Sequence, residues 1–390
     1  MIPVQNAIEL IRKHSSLLSS EAILIEEGIG QVVSEDVFSP IHMPPFDQSA
    51  MDGYAVNGLN LESYQVIGEI QAGDSGEGIE LKAGEAVRIF TGAVVPKSVQ
   101  TVVKQEIVER NGEKIVLTEA IRENQNIRYE GEQIKQGEIA LPKGALIKPS
   151  TAGFLYMLGL TEVKVYQKPK VTIIATGNEL VPPGQPLTKG KIYESNTYTL
   201  KTALKELGID ADILTVQDNY VETRAMLKQV IDSNDILITS GGISVGDYDF
   251  VGKALNEIGV ETIFYKVKQK PGKPLLFGKK NNTLVFAVPG NPAAALSCFY
   301  MYVTSGIKKM MGYQEGGLEK RTVALTTDYT KTPNLSHFLK GSVEGNKVSI
   351  LGAQSSAMLS SFSVANCLIY LPQDRSEWSK GDEVEVFILP

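Results

Sequence analysis

The chain is poor in the residues that staple or metallate small proteins. Its 390 residues include two cysteines, Cys298 and Cys367, far apart in sequence. They lack the spacing of a zinc site or a disulfide framework, so both are expected to be buried thiols. Three histidines are present. His14 reads as a solvated helix-end residue, and none of the three is placed to support a covalent nucleophile. No apolar run is long enough to span a membrane. The opening Met1-Ile2-Pro3-Val4-Gln5 has no signal-peptide pattern. The expectation is a cytoplasmic protein with no membrane partner. A formal net charge of −7 excludes the basic footprint of a nucleic-acid binder. Any anionic ligand would need a local pocket of lysines and backbone N–H groups, because the global field would not attract it.

What is present is ordinary globular material, with 43% hydrophobic and 21% charged residues, enough for a sizeable core without staples. The length calls for about two to four domains. Val4, Ala7, Ile8 and Ile11 have helical spacing, and the pattern ends near His14. A proline-rich segment, 39–46, follows. Residues 50–145 read as short strands broken by glycines, a β-rich unit inserted into an extended first region. From Lys170 the pattern changes. Apolar strands at 171–175, 213–216, 235–239 and 284–288 alternate with helices at 194–207, 220–232 and 249–258. This alternation predicts an α/β domain with a mostly parallel sheet. Residues 318–390 alternate apolar and polar side chains and read as a small all-β domain.

Ligands of such sheets sit beyond the carboxyl ends of the strands. The rule selects the loops 176–179, 217–219, 240–249 and 289–292. In Thr239-Ser240-Gly241-Gly242-Ile243-Ser244-Val245-Gly246-Asp247-Tyr248-Asp249, Gly241, Gly242 and Gly246 permit a sharp turn close to a ligand. Ser240, Ser244 and the helix N-terminus add donors suited to phosphate or another oxyanion. The same residues would also make an unliganded tight turn, so the loop does not decide by itself. Thr176-Gly177-Asn178-Glu179 places a carboxylate at the same sheet end, as a metal or hydroxyl ligand or as a turn cap. Pro289-Gly290-Asn291-Pro292 is a pre-formed loop, and the helix starting at Ala293 would offer further N–H groups. Lys266, Lys268, Lys270 and Lys273 fall within eight residues. Strand alternation would put the first three on one face, as a solvated edge or as a cationic clamp. In the first half, Pro44–Ala55, Arg88–Ala93 and Arg128–Glu132 are polar-tipped segments that read equally well as turns.

Taken together, PPFDQSAMDGYAV, RIFTGA, IRYEGE, ATGNEL, SGGISVGDYD, KQKPGKP, VPGNPAAA and GAQSSAMLSSFSVANC resemble, in order and over nearly the whole chain, the MoeA family of molybdopterin molybdenumtransferases. That family includes the C-terminal part of gephyrin. The resemblance implies an α/β multidomain protein in four parts. These are an elongated N-terminal subdomain (1–45 with 142–168), an inserted β-rich subdomain (46–141), a molybdopterin-binding α/β domain (169–314) and a C-terminal β-barrel (318–390). It implies a homodimer in which Asp52 and Thr91 of one chain approach the glycine-rich loop of the other. It matches the family's functional residues to Asp52, Thr91, Glu179, Asp218, Asp249, Lys266 and Lys270. Substrate contacts are implied for Gly177, Ser240, Gly241, Gly242, Ser244, Gly246, Asp247, Gly272, Lys273, Pro289, Gly290, Asn291 and Pro292. Two departures stand out. Gln133 occupies a position where the family often has an acid, and Lys340 one where it often has an arginine.

The implied reaction takes adenylylated molybdopterin and molybdate, releases AMP, and uses Mg²⁺. Asp52, Glu179 and Asp249 are the implied metal ligands. Transient partners in molybdenum cofactor synthesis follow from the same resemblance. Two other readings are a tungstate-inserting homologue and a non-catalytic scaffold of the gephyrin kind. Molybdate and tungstate have nearly the same size and charge, and the sequence does not separate them. The Asp52 and Thr91 segments favour insertion over adenylylation, because the adenylylating relatives use only the α/β domain.

Overall fold

The computed structural model describes residues 1–243 and 250–390. The chain forms two compact units: Met1–Glu21 with Val165–Pro390, and Ala22–Lys164.

The first unit is built on a six-stranded sheet. Its spatial order is Ala211–Val216, Val171–Thr176, Ile236–Ser240, Thr283–Val288, Leu276–Lys280, Glu261–Tyr265. The first four strands are parallel. Val171–Thr176, Ile236–Ser240 and Thr283–Val288 are buried along their whole length, which is why they read as near-continuous apolar runs. Successive side chains feed opposite faces. Ile173, Ile238 and Phe286 join one core with Leu200, Leu204, Phe299 and Ile307, which also holds Val4, Ala7 and Ile11 of the helix Val4–His14. Ile174, Leu237 and Val285 join a second core with Leu227, Val251 and Leu255. Each fully buried side chain of this kind contributes about 1.5–3 kcal/mol of transfer free energy. The order matters for function. Val171–Thr176 has its successor on one side and Ile236–Ser240 on the other, so the strand order reverses between them. That reversal opens a crevice at the carboxyl ends, between Thr176 and Ser240.

The last two strands, Leu276–Lys280 and Glu261–Tyr265, are antiparallel, and neither was among the expected strands. The lysine-rich segment corrects another expectation, because it is not one strand. Lys266 takes a left-handed φ of 68°, which ends the strand at Tyr265. Only Gln269–Lys270 is extended, and it pairs with the C-terminal sheet at Ser336 and His337. Alternation survives as burial: Val267 and Gln269 are inside, while Lys266, Lys268 and Lys270 are not.

In the C-terminal domain, Ser336–Glu344 pairs with both Lys347–Ile350 and Cys367–Leu371. Glu383–Ile388 and Lys320–Leu325 complete the ring. The result is the expected β-barrel, filled by Leu339, Val348, Ile369, Trp378 and Val386. Lys340 is buried on the outer face of the barrel wall, against the 351–358 segment. Its ammonium donates to the carbonyl oxygens of Ala353 (2.8 Å), Met358 (3.2 Å) and Ser355 (3.3 Å). It lies 5.8 Å from the Phe362 ring centroid. Burial lowers its pKa from the ordinary lysine value. Gln354 clasps the Lys340 backbone through both its N–H and its C=O. Lys340 is thus a scaffold for the 351–358 segment, a task for three rotatable donors rather than for a planar fork.

The Ala22–Lys164 unit carries a six-stranded sheet in the order Thr101–Lys104, Gly53–Val56, Glu85–Ile89, Ser63–Ile70, Lys114–Leu117, Val108–Asn111. Its two faces are packed by Ala55, Val87 and Val102, and by Tyr54, Tyr64 and Val103. Gly53 is obligatory there, because a Cβ would lie 1.8 Å from the Val103 carbonyl oxygen of the paired strand.

Lys340→Met leaves three carbonyls without their charged donor, and should cost about 2–4 kcal/mol. Scanning calorimetry should show it as a lowered transition of the Met1–Glu21/Val165–Pro390 unit.

Candidate active site

Two clefts meet at the carboxyl end of the parallel strands. One, about 660 Å³, is lined by Thr176, Glu179, Glu194, Asn196, Asp218, Ser240, Gly241, Gly242 and Pro289–Pro292. The other, also about 660 Å³, is lined by Lys270, Gly272, Lys273, Tyr329, His337, Gln354, Ser355 and Ser356. Pro274, Pro289 and Asn291 are walls of both. The expected loops 176–179, 217–219 and 289–292 and the described part of 240–249 therefore converge on the first cleft, with carboxylates on that side of Pro289 and the lysines of the 266–274 segment on the other.

The acid-side loops are tied in pairs. Asn178 donates its N–H to Asp218 Oδ2 (3.3 Å), and Asp218 returns its own N–H to Asn178 Oδ1 (3.0 Å). Asn196 Nδ2 donates to Ser240 Oγ (2.8 Å) and to the Gly290 carbonyl (2.7 Å). One side chain at the start of the helix Asn196–Glu206 thereby joins the third and fourth loops. Glu194, buried just before it, accepts from the N–H and hydroxyl of Thr197, satisfying donors at that helix start. Asn196 and Glu194 were missed in the sequence. Their signal, Glu-Ser-Asn at a helix start, looks like an ordinary cap. Gly241 and Gly242 have φ of 90° and 68°. A Cβ on Gly241 would stand 2.8 Å from the Thr176 carbonyl, and one on Gly242 2.5 Å from Val251. Gly177 lets the Glu179 carboxylate fold back, since a Cβ there would meet Glu179 Oε2 at 2.9 Å. The Thr176 hydroxyl is buried and has no partner among the described residues.

The helix at the fourth loop begins at Pro292, not at Ala293. It offers fewer free donors than expected. Proline has none, Ala294 N–H goes to the Ser356 carbonyl, and Ala295 N–H goes to the Asn291 carbonyl. Asn291 Nδ2 also donates to Ser356 Oγ at 3.0 Å.

The lysine cleft is braced from beneath. Gly272 has φ 82°, and a Cβ would lie 2.5 Å from Cys298 Sγ. Buried Gln269 donates to the Gly272 carbonyl (3.1 Å) and accepts from the Tyr302 hydroxyl. Both cysteines are buried and free, as expected. Burial pushes the Cys298 thiol up to about 12. His337 reaches Tyr329 Oη at 3.3 Å. Burial, and then the charges of Lys270 and Lys331, hold its pKa down at about 4, so it is neutral at pH 7. Lys266 lines neither cleft, and its ammonium rests 4.7 Å from the Tyr265 ring centroid.

Asp52 and Thr91 belong to the other unit, where they form a pair of their own. Asp52 Oδ1 accepts from both the N–H and the hydroxyl of Thr91 at 2.8 Å. These two bonds, the N–H first, lower the Asp52 pKa. Ser49 and Asp47 knit the 44–55 segment to the other two, through Gly92 and Ala93 and through Glu130 N–H. The three polar-tipped segments of the first half thus converge as well. Gln133 donates its N–H to the Met43 carbonyl at 3.0 Å. Ser244, Gly246, Asp247 and Asp249 lie outside the described residues.

Residues 2–159 match the family model "MoeA N-terminal region (domain I and II)", and 322–389 match "MoeA C-terminal region (domain IV)". Residues 172–309 match "Probable molybdopterin binding domain". A Haemophilus influenzae molybdopterin molybdenumtransferase is 36% identical over 378 residues, 94% of this chain and 93% of the relative. The chain belongs to this family. A Staphylococcus aureus molybdopterin molybdenumtransferase is 29% identical, covering 99% of this chain and 95% of its own. The crystal structure of the molybdopterin biosynthesis moeA protein from Pyrococcus horikoshii OT3 superposes with a TM-score of 0.86 at 28% identity, covering all of both chains.

Asn196→Ala removes the bonds to both the Ser240 and Gly290 loops. The expected result in this family member is a rise of about tenfold in the KM for the pterin substrate, with little loss of melting temperature. His337 generates a pH dependence. The unfolded chain binds its proton below about pH 6.5, whereas the folded chain waits until about 4. Stability supported by neutral His337 is therefore complete above pH 6.5 and is lost as the pH falls from 6.5 to 4. The loss is on the order of 2–3 kcal/mol. Acid denaturation of His337→Gln should lack that part of the decline.

Proposed function

We propose that this chain inserts molybdenum from molybdate into adenylylated molybdopterin, releasing AMP and forming the molybdenum cofactor. The observation that carries this reading is the meeting of a carboxylate cleft with a lysine cleft at Pro289–Asn291. One substrate is a polyanion with a phosphoanhydride, which would meet the carboxylates through a divalent cation, and the other is a tetrahedral oxyanion, which would meet the lysines directly.

In this reading the pterin phosphate sits at the strand-order reversal. It is held by Thr176, whose buried hydroxyl has no partner among the described residues, and by Ser240, which accepts from Asn196 and keeps its own proton to donate. Gly241, Gly242, Gly177 and Gly290 let backbone come close. Ser244, Gly246 and Asp247 follow in sequence and are proposed as further contacts of that phosphate. Lys270 and Lys273, with Gly272, Asn291, Pro289 and Pro292 shaping the walls, offset the charge of molybdate in the neighbouring cleft. Lys266 supports the field from outside that cleft. Neutral His337 adds no like charge to the lysines.

Among the described residues no group of three metal-ligating side chains converges. Glu179 and Asp218 nevertheless line one cleft, and Mg²⁺ is commonly held by one or two carboxylates together with substrate phosphates, so the residues fit a cation carried with the substrate. Glu179, Asp249 and Asp52 would hold it, and it would supply charge neutralisation at the phosphoanhydride. Asp52, kept ionised by Thr91, is contributed by a second copy of the chain in a homodimer. The four-part division at 1–45 with 142–168, 46–141, 169–314 and 318–390 describes the working parts. The cytoplasm and transient contacts with other enzymes of cofactor synthesis complete the reading.

The test is molybdate-dependent AMP release from adenylylated molybdopterin. Asp52→Ala and Asp249→Ala should each lower the rate by about 100-fold or more at unchanged melting temperature. Full activity in both folded variants would refute the assignment. Lys270→Gln/Lys273→Gln should raise the molybdate concentration needed by about tenfold while leaving pterin binding unchanged.

A further inference from the structure

We infer that a second oxyanion site, for a phosphate or carboxylate group, lies between the amino-terminal helix and the 313–320 segment. The cleft there measures about 750 Å³ and shares no lining residue with the two substrate clefts. Gln5, Arg12, Ser305, Lys308, Glu315 and Lys320 line it.

Two buried donors in it have nothing to bind among the described residues. Ser305 is fully buried, and its hydroxyl has no partner. Arg12 Nη2 donates to the Gln314 carbonyl at 2.7 Å, but Nη1 is buried and unpaired. Both groups face one spot, Gly316. A Cβ there would lie 1.8 Å from Arg12 Nη1 and 3.0 Å from Ser305 Oγ, so any other residue would block them. A buried donor left unmatched is destabilising.

The charges are unmatched too. Neither Arg12 nor Lys308 has a carboxylate within ion-pair reach among the described residues. Neighbouring acids are engaged elsewhere: Glu319 with Arg321, Glu385 with Lys320, and Glu9 with Gln5. Glu315 lines the cleft without an ion pair to either cation. Lys308 is spent on the Gly317 carbonyl and the Tyr313 ring, 6.0 Å away. Water would satisfy the hydrogen bonds but not the two charges. An oxyanion satisfies both, accepting from guanidinium and hydroxyl together. The unpaired hydroxyl and guanidinium nitrogen, set against a glycine, are what an anion-accepting floor requires.

Calorimetric titration of inorganic phosphate and of acetate into the full chain tests this, with ionic strength held constant by chloride. A Thr176→Val/Ser240→Ala/Lys270→Gln/Lys273→Gln background removes the hydroxyls and the exposed lysines assigned to the two substrate clefts. One saturable event is expected, and the tighter of the two anions names the preferred group. Arg12→Gln and Ser305→Ala should each weaken it by about tenfold. Ser305→Ala removes a hydroxyl with no partner, so its melting temperature without anion should be unchanged or higher, and its weaker binding is then not a folding defect. No saturable event with either anion, or an event that both variants leave intact, overturns the proposal.

Discussion

A parallel sheet brings the ends of non-consecutive strands together, but it does not hold their loops still. In this chain that task falls to the side chains of Asn196, Asn178 and Asp218. Asn196 spans from the Ser240 loop to the Gly290 loop, and Asn178 and Asp218 exchange two hydrogen bonds across the first and second loops. The Asn196 amide suits the role because it donates twice without adding charge beside an anionic ligand. The glycines make the arrangement possible. A Cβ on Gly177, Gly241 or Gly242 would meet a neighbouring atom within 3 Å, at 2.9, 2.8 and 2.5 Å respectively. Clasped loops in turn fix Pro289 and Asn291, the walls that the two clefts share.

The lysine cleft depends on a different support, where the 266–274 segment leaves the α/β sheet and joins the barrel. Gln269–Lys270 pairs with Ser336–His337, while the Gln269 side chain is bonded to Gly272 and Tyr302 beneath. Lys340 holds the opposite wall by gathering three carbonyls of the 351–358 segment. One lysine is thus placed to face a ligand and another to organise backbone, and burial separates the roles. Lys270 is exposed, whereas Lys340 is not.

Much of this was legible in the sequence. The buried parallel strands announced themselves as apolar runs, and the rule for sheet ends picked loops that line one cleft. What was not legible came from long-range contacts. The left-handed turn at Lys266 has no local signature, since it is imposed by backbone bonds that tie Lys266 to Ile2 and Leu275. Strands Glu261–Tyr265 and Leu276–Lys280 flank that turn and were hidden by its charge. Asn196 resembled a cap, and His337 gave no sign that burial beside two lysines would keep it neutral. The pairing of Asp52 with Thr91, 39 residues apart, has nothing in the spacing to announce it.

The central claim is that two adjoining clefts of opposite lining hold the two substrates. A crystal structure with adenylylated molybdopterin and molybdate both bound tests it directly. The pterin phosphate should contact Thr176 and Ser240, with molybdate within reach of Lys270 and Lys273 across Pro289–Asn291. Both ligands in one cleft, or either one bound away from Pro289, would contradict the account.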